Sequence, residues 1–223
     1  MSASAIPAGP VQIGVEIEEQ FHTEKQQRHA AKLGMWIWLA TELLLFAGLF
    51  LVALIIRVQH PDAVTPAARH LKFAIGATNT AVLILSSLSM SGAIEMSRMG
   101  WQRGTVRCMQ VTAALGTIFL LLKGFEYYKD FDEHMMPFLA WRPYELAHLP
   151  ASALFVDDYY VATGLHGLHL TTGVAIVLVM AWQVGRPGYL ARHQNRIEVL
   201  GLYWHFIDLI WMIVFPVLYL LNR

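Results

Sequence analysis

Charged residues and cysteine are both scarce in this chain of 223 residues. Asp, Glu, Lys and Arg make up 14% of it, and 16 basic residues balance 16 acidic ones, whereas an average soluble domain is about 25% charged. Zero net charge excludes a strongly basic nucleic-acid-binding protein, because no positive surface is available for phosphates. The single cysteine, Cys108, excludes an internal disulfide and any multi-thiolate metal site. We therefore expect no nucleic-acid partner and no zinc or iron–sulfur centre.

The sequence also lacks the motifs of common enzyme classes. It has no Walker phosphate-binding loop, no Gly-x-Ser-x-Gly nucleophile motif, no His-Glu-x-x-His zinc motif and no Cys-x-x-Cys-His haem attachment site. We therefore predict no catalytic residues in this chain taken by itself.

Long apolar runs, by contrast, are abundant, and 56% of the residues are hydrophobic. A helix that crosses about 30 Å of hydrocarbon needs about 20 apolar residues, and in lipid only helices satisfy the backbone of an isolated span. We predict an all-α integral membrane bundle of five transmembrane helices over residues 32–223, after a polar N-terminal tail over residues 1–31 without signal-peptide features. The predicted spans are about 33–56, 73–94, 106–125, 159–184 and 200–221.

The distribution of Lys and Arg between the two ends of the spans predicts the orientation. Nine of these residues fall on the side of the N-terminal tail and seven on the opposite side. Because cytoplasmic loops are enriched in Lys and Arg, we predict a cytoplasmic N-terminus and an outside C-terminus. The longest connection, residues 127–158, is acidic and contains Trp141 and Tyr144, which is typical of a loop along the outer interface.

Glu42 is the one charged residue inside the first apolar run. It lies about ten residues into the span, or about 15 Å deep at 1.5 Å per residue. Ionisable groups at such depth are costly to insert, so each needs a partner or a function. Two interpretations stay open: a proton relay or an acid that binds a polar lipid group, and a protonated carboxyl hydrogen-bonded to a neighbouring helix.

Histidines mark the last two spans. His166 and His169 are three residues apart and are expected on one helix face, and His205 follows in the fifth span. Two such histidines are too few for a structural metal site, which usually has four ligands, although haem needs only two axial nitrogens. Hydrogen bonds to neighbouring helices or to lipid headgroups are the commoner use of such histidines, and we predict no metal site.

Other polar residues in the spans indicate contacts between helices. Asn79, with Thr80, and Asp208 are expected to form polar locks to another helix or another chain, and Glu126 and His205 are assigned the same role. Small residues let helices approach closely in lipid, so the glycines around His166 predict a central fourth helix. These glycines are Gly164, Gly167 and Gly173.

Five motifs in this order resemble those of one family, subunit III of the haem–copper respiratory oxidases, over nearly all of residues 33–223. Two of them are specific: Thr-Gly-x-His-Gly-x-His, here residues 163–169, and Tyr-Trp-His-Phe-x-Asp, here residues 203–208. The weaker ones are a Gly-led helix with a Thr-Glu pair (34–42), Asn-Thr with a serine pair (79–80 and 86–87) and Glu-Tyr (126–127). Many members have seven spans, and this chain begins at what would be their third.

The resemblance implies a non-catalytic subunit that binds no metal, with haem and copper in partner subunits I and II. It implies direct packing on subunit I, bound phospholipid in a cleft, and support of proton uptake and turnover. Glu42 matches the family's cleft carboxyl, and His166 and His169 belong to the same proton-supporting or lipid-cleft region. Arg192 and His193 lie where a basic lipid-headgroup loop would be.

The resulting interpretation is subunit III of a proton-pumping oxidase that reduces dioxygen to water in the inner membrane of a bacterium. Subunit III of a quinol oxidase and a relative associated with nitric oxide reductase are the nearest alternatives. From other classes, a haem-carrying electron-transfer protein with His166, His169 or His205 as axial ligands predicts a Soret band on the isolated chain. A small transporter with Glu42 and Asp208 as its proton relay predicts pH-dependent uptake by this chain alone.

Overall fold

Five long helices form the part of the chain that the computed structural model describes, residues 23–62, 73–132 and 150–220, and no strand occurs in these ranges. All five are long and apolar enough to cross a membrane, which confirms the predicted all-α, five-span fold class. The predicted tail before residue 23 and residues 133–149 of the predicted 127–158 loop lie outside the described residues. The rest of that predicted loop is helical, because the third helix continues to Asp132 and the fourth begins at Pro150. The helices are α1 (Glu24–Gln59), α2 (Phe73–Arg98), α3 (Gln102–Asp132), α4 (Pro150–Val184) and α5 (Tyr189–Phe215), followed by a π-helical turn, Pro216–Leu220.

Local signals in the sequence account for several helix ends. The hydroxyl of Thr23 accepts a hydrogen bond from the backbone N–H of Gln26 at 3.2 Å and so caps the start of α1. Gly100, with φ of 74°, turns the chain between α2 and α3, and Gly188, with φ of 75°, turns it between α4 and α5. Glycine adopts this left-handed conformation without strain. Both connections are therefore short, and each places two consecutive helices side by side and antiparallel.

The helices are arranged as a bundle in which α5 runs beside α1, α2 and α4 and reaches α3 with its tryptophan side chains. Neighbouring pairs are α1 with α4 and α5, α2 with α3 and α5, and α4 with α3 and α5. Two tryptophans of α5, Trp204 and Trp211, are fully buried and fill the space between the other helices. The apolar core therefore centres on α5, and α4 contacts α1, α3 and α5.

Close contacts between helices occur at several glycines, among them Gly116 and Gly173. A Cβ atom at Gly116 of α3 would lie 2.9 Å from the ring of Trp204 and 2.9 Å from Val174. A Cβ atom at Gly173 of α4 would lie 3.2 Å from Tyr203. Gly173 thus has the packing role that the sequence predicts. At Gly167, by contrast, no described residue outside the helix has a heavy atom within 4 Å of the corresponding position.

Candidate functional site at Glu42 and His169

Glu42 of α1 and His169 of α4 meet near the middle of the bundle. The Oε2 atom of Glu42 lies 3.2 Å from the Nε2 atom of His169, and the two side chains are 17% and 19% exposed. Glu42 lies 18 residues after the first residue of α1 and 17 before its last. The contact is therefore close to the midplane of the membrane, where an ionisable side chain is costly unless it has a partner.

A hydrogen bond to the backbone determines which tautomer of His169 is present. Its Nδ1 atom lies 2.8 Å from the carbonyl oxygen of Leu165, and because a carbonyl only accepts, Nδ1 carries a hydrogen. Neutral His169 then presents a lone pair at Nε2 toward Glu42. The close contact is favourable only when one proton lies between the two groups, on the carboxyl or on the imidazole. The pair can thus hold a proton in either of two positions.

The alignment of the pair is loose. Oε2 of Glu42 has no hydrogen bond of good geometry within the described residues, although its distance to Nε2 is only 3.2 Å. A small rotation of either side chain would form or break the hydrogen bond. A pair of this kind can respond to a neighbouring ligand or to a change in protonation.

Aromatic side chains hold His169 in place. The rings of Trp38 and Phe46 lie 6.3 Å and 5.8 Å from the imidazole, centroid to centroid. Tyr203 of α5 packs against Trp38 at 5.4 Å and donates a hydrogen bond to the carbonyl oxygen of His169 at 2.8 Å. The motif residue Tyr203 therefore supports the backbone behind the site.

His166 does not share the position of His169. It is 1% exposed and lies between Phe119 at 5.5 Å and Trp211 at 5.1 Å, in the interior of the bundle. Its Nε2 atom has no hydrogen-bond partner among the described residues. The spacing of three residues along α4 therefore separates the two imidazoles, one toward α1 and one toward α3 and α5.

The residues predicted to form polar locks differ in how many of their hydrogen-bonding groups have a partner. The Nδ1 atom of His205 lies 2.7 Å from the hydroxyl of Ser87, which links α5 to α2. Glu126 accepts hydrogen bonds from Lys123 and Tyr159. Asn79 is fully buried, and neither atom of its amide has a partner within the described ranges. Asp208 is likewise buried, and its carboxyl lies beside the hydroxyl of Ser87.

The two residues predicted to bind lipid headgroups lie at a kink near the start of α5. His193 departs from helical geometry, with φ of −125° and ψ of 24°, and its ring stacks on that of Tyr189 at 4.2 Å. Arg192, next to it, is exposed. The stacking fixes the kink, and the adjacent guanidinium is available to solvent or to lipid.

Sequence reasoning missed a buried polar network between α3 and α4. The ammonium of Lys123 lies 2.9 Å from a carboxylate oxygen of Glu126 and 2.8 Å from the hydroxyl of Tyr159. One turn further along α3, the hydroxyl of Tyr160 donates to Asp130 at 3.1 Å. The spacing Lys-x-x-Glu was the available signal, since residues three apart on a helix are neighbours.

No metal centre is formed by the described parts of the chain, since no three His, Cys, Asp or Glu side chains there are grouped for ligation. His205 is engaged with Ser87 on α2, whereas His169 faces Glu42 on α1. The three histidines therefore occupy separate places in the bundle. The chemistry that this arrangement supports is the holding and exchange of a proton at the Glu42–His169 pair.

Comparison with known proteins identifies relatives over nearly the whole chain. Residues 13–222 match the family described as cytochrome c oxidase subunit III. The cytochrome c oxidase subunit 3 of Thermostichus vulcanus is 31% identical over 192 residues, covering 86% of this chain and 87% of that protein. The probable cytochrome c oxidase subunit 3 of Mycobacterium leprae is 28% identical over 210 residues, covering 94% and 96%. The cytochrome bo(3) ubiquinol oxidase subunit 3 of Pseudomonas putida is 28% identical over 191 residues, covering 85% of each.

Proposed function

Because the chain belongs to the cytochrome c oxidase subunit III family and is thus a multi-pass subunit of a haem–copper oxidase, we propose that its part in the complex is to bind phospholipid and to sustain proton uptake and turnover. In this proposal it packs directly on subunit I, and haem and copper are held by subunits I and II. Its place is the inner membrane of a bacterium, with the N-terminus in the cytoplasm.

The observation that carries the proposal is the Glu42–His169 contact. A carboxyl and an imidazole 3.2 Å apart near the midplane form a place where a proton can reside on either group. Neither residue belongs to a group of three or more possible metal ligands in the described parts of the chain. The contact is therefore suited to hold or pass a proton, or to bind a polar group, without chemistry of its own.

A groove beside this contact supports the lipid part of the proposal. It has a volume of about 340 Å³ and is lined by apolar side chains of α1, α4 and α5, with one cation, Arg196. The apolar lining includes Met35, Trp38 and Met180. An acyl chain fits such a lining, and an arginine near the end of a helix is suited to a lipid phosphate. Arg196 therefore joins Arg192 and His193 as a candidate headgroup residue.

The names of the relatives indicate two possible electron donors. Relatives named for cytochrome c and relatives named for ubiquinol both match this chain at similar identity. We place the chain in an oxidase of the cytochrome c type, because the family description and the most similar relative given above carry that name. The quinol-oxidase assignment is the alternative, and purification of the complex with a test of both donors decides between them.

The Glu42→Gln variant tests the proposed role directly. Glutamine keeps the shape of the side chain and a hydrogen-bonding group but cannot take up or release a proton. We expect the complex to assemble with its normal set of subunits, while oxygen consumption declines sooner during sustained turnover or less phospholipid is retained. The measurements are subunit content, oxygen uptake over time, and bound phospholipid by mass spectrometry.

The matched control is Glu95→Gln, which removes an exposed carboxylate near the end of α2 that forms an exposed ion pair with Arg98. This control should leave all three readouts unchanged. Failure of Glu42→Gln to assemble would make Glu42 a packing contact instead of a functional group. Normal assembly with unchanged turnover and unchanged lipid would refute the proposed role.

A further inference from the structure

Two buried polar residues of the sequence motifs have no role in the Glu42–His169 contact. Asn79 of α2 is 0% exposed, and neither atom of its amide has a hydrogen-bond partner among the described residues. His166 of α4 is 1% exposed, and its Nε2 atom likewise lacks a partner there. Because burial of a polar group without a hydrogen bond is costly, both side chains require a partner from outside the chain.

The register of α2 against α3 places Asn79 beside Phe119. The hydroxyl of Ser86 donates to the carbonyl oxygen of Thr112 at 3.1 Å, which fixes the level of these two positions. The two helices are antiparallel, so the position seven residues before Ser86 faces the position seven residues after Thr112. These positions are 79 and 119, and both residues are fully buried. Asn79 therefore lies on the face of α2 that packs on α3.

Contacts of α4 and α5 place His166 in the same layer. The ring of Phe119 lies 5.5 Å from the imidazole of His166 and 4.7 Å from the indole of Trp211, centroid to centroid. The Nε1 atom of Trp211 donates to the hydroxyl of Thr80, the residue next to Asn79, at 3.1 Å. Four helices thus contribute to one interior layer, and this layer contains both the amide and the imidazole that lack partners.

The surroundings of this layer limit what can supply the missing hydrogen bonds. Asn79 and His166 are at most 1% exposed, so a lipid headgroup on the surface of the bundle does not reach them. No three His, Cys, Asp or Glu side chains are grouped for metal ligation in the described ranges. Water is small and both donates and accepts, so it suits the amide and either tautomer of the imidazole. Buried waters typically make about three hydrogen bonds to polar groups that otherwise lack partners.

We propose that an ordered water molecule is bound between the amide of Asn79 and the Nε2 atom of His166, and that it joins α2 to α4 through the interior of the bundle. These two helices are not a neighbouring pair in the described bundle, and a bridging water spans a distance that the two side chains alone do not. The polar lock predicted for Asn79 is then made through water. The inference does not depend on the role of Glu42 and His169.

Replacement of the two side chains by apolar groups of similar shape tests the bridge. In Asn79→Leu the Nε2 atom of His166 loses its water, and His166→Phe keeps a ring between Phe119 and Trp211 but removes the nitrogen. We expect each single variant to raise the equilibrium constant for unfolding by roughly 5- to 150-fold. The double variant should lose much less than both together, because no polar group is then left without a partner.

Unfolding of the purified chain by SDS titration in mild detergent, followed by circular dichroism, gives these constants. Thr78→Val is the matched control, because this exposed neighbour on α2 hydrogen-bonds the backbone of Ala74, and the constant should stay unchanged. A more stable Asn79→Leu would show that the amide has no partner in the native protein. That result, or additive losses in the double variant, would overturn the proposal.

A cryo-electron microscopy map of the oxidase complex that resolves water identifies the bridging group. We expect a peak of density about 2.7–3.2 Å from both the amide of Asn79 and the Nε2 atom of His166, and loss of that peak in Asn79→Leu. A direct hydrogen bond between Asn79 and His166, a partner from another part of the protein, or the absence of a peak in the wild-type map would refute the bound water.

Discussion

Removal of the buried cation Lys123 offers the sharpest test of the energetics of this bundle. The ammonium is enclosed: the side chains of Lys123 and Glu126 are 6% and 1% exposed, and their charged atoms lie 2.9 Å apart. The ammonium also lies 4.8 Å above the ring of Tyr159 and 5.4 Å above that of Trp211. In Lys123→Met the flexible thioether fills much of the same volume and contacts the same rings, but the carboxylate of Glu126 loses its cation.

Breaking a buried ion pair by removing one partner typically costs 3–5 kcal/mol, so we expect Lys123→Met to lower the free energy of unfolding by about 3 kcal/mol. The lower end of the range applies because the hydroxyl of Tyr159 still donates to Glu126 at 3.2 Å. The double variant Lys123→Met/Glu126→Gln removes both charges and keeps an acceptor for Tyr159. Replacing a whole buried pair is often nearly neutral, so most of the loss should be recovered.

Unfolding of the purified chain by SDS titration in mild detergent, followed by circular dichroism, measures these differences. Lys129→Met is the matched control on the same helix, because Lys129 is exposed and its ammonium lies over the ring of Phe125 at 4.5 Å. It should change the free energy of unfolding by less than about 1 kcal/mol. The double variant is compared with the single variants Lys123→Met and Glu126→Gln. If its loss in free energy of unfolding equalled the sum of their losses, the two charges would not act as a pair and the reasoning would be refuted.

Two further predictions concern packing and surface charge. Gly116→Ala should lower stability by about 1–3 kcal/mol, because the new methyl group would lie 2.9 Å from Trp204 and Val174. Gly124→Ala should leave stability unchanged, because no heavy atom of the described residues lies within 4 Å of its Cβ position. Thermal unfolding of both variants in detergent compares them. Glu198→Gln should cost about 1 kcal/mol at low salt, because Glu198 joins Lys32 at 2.6 Å and Arg98 at 3.2 Å and so ties α1 and α2 to α5. The loss should shrink at high salt, since these groups are partly exposed, and a salt-independent loss in the unfolding midpoint would point to packing instead.

Hydropathy along the chain was enough to predict the membrane class, the number of spans and the helical fold. Each of these depends on the local cost of exposing backbone and charge to hydrocarbon, which every window of about 20 residues carries by itself. The candidate site residues were predicted for the same reason. Glu42, His169 and Asp208 stand out because each interrupts an apolar run.

Only the tertiary structure decided which of these residues act together. The sequence spacing placed His166 and His169 on one face, but the bundle turns one imidazole into the interior and the other toward Glu42. The bundle also buries Lys123 with Glu126, although the sequence pattern places both residues at the charged end of a span. Partners across helices depend on the rotation of each helix about its axis, and that rotation is set by the packing of all its neighbours at once.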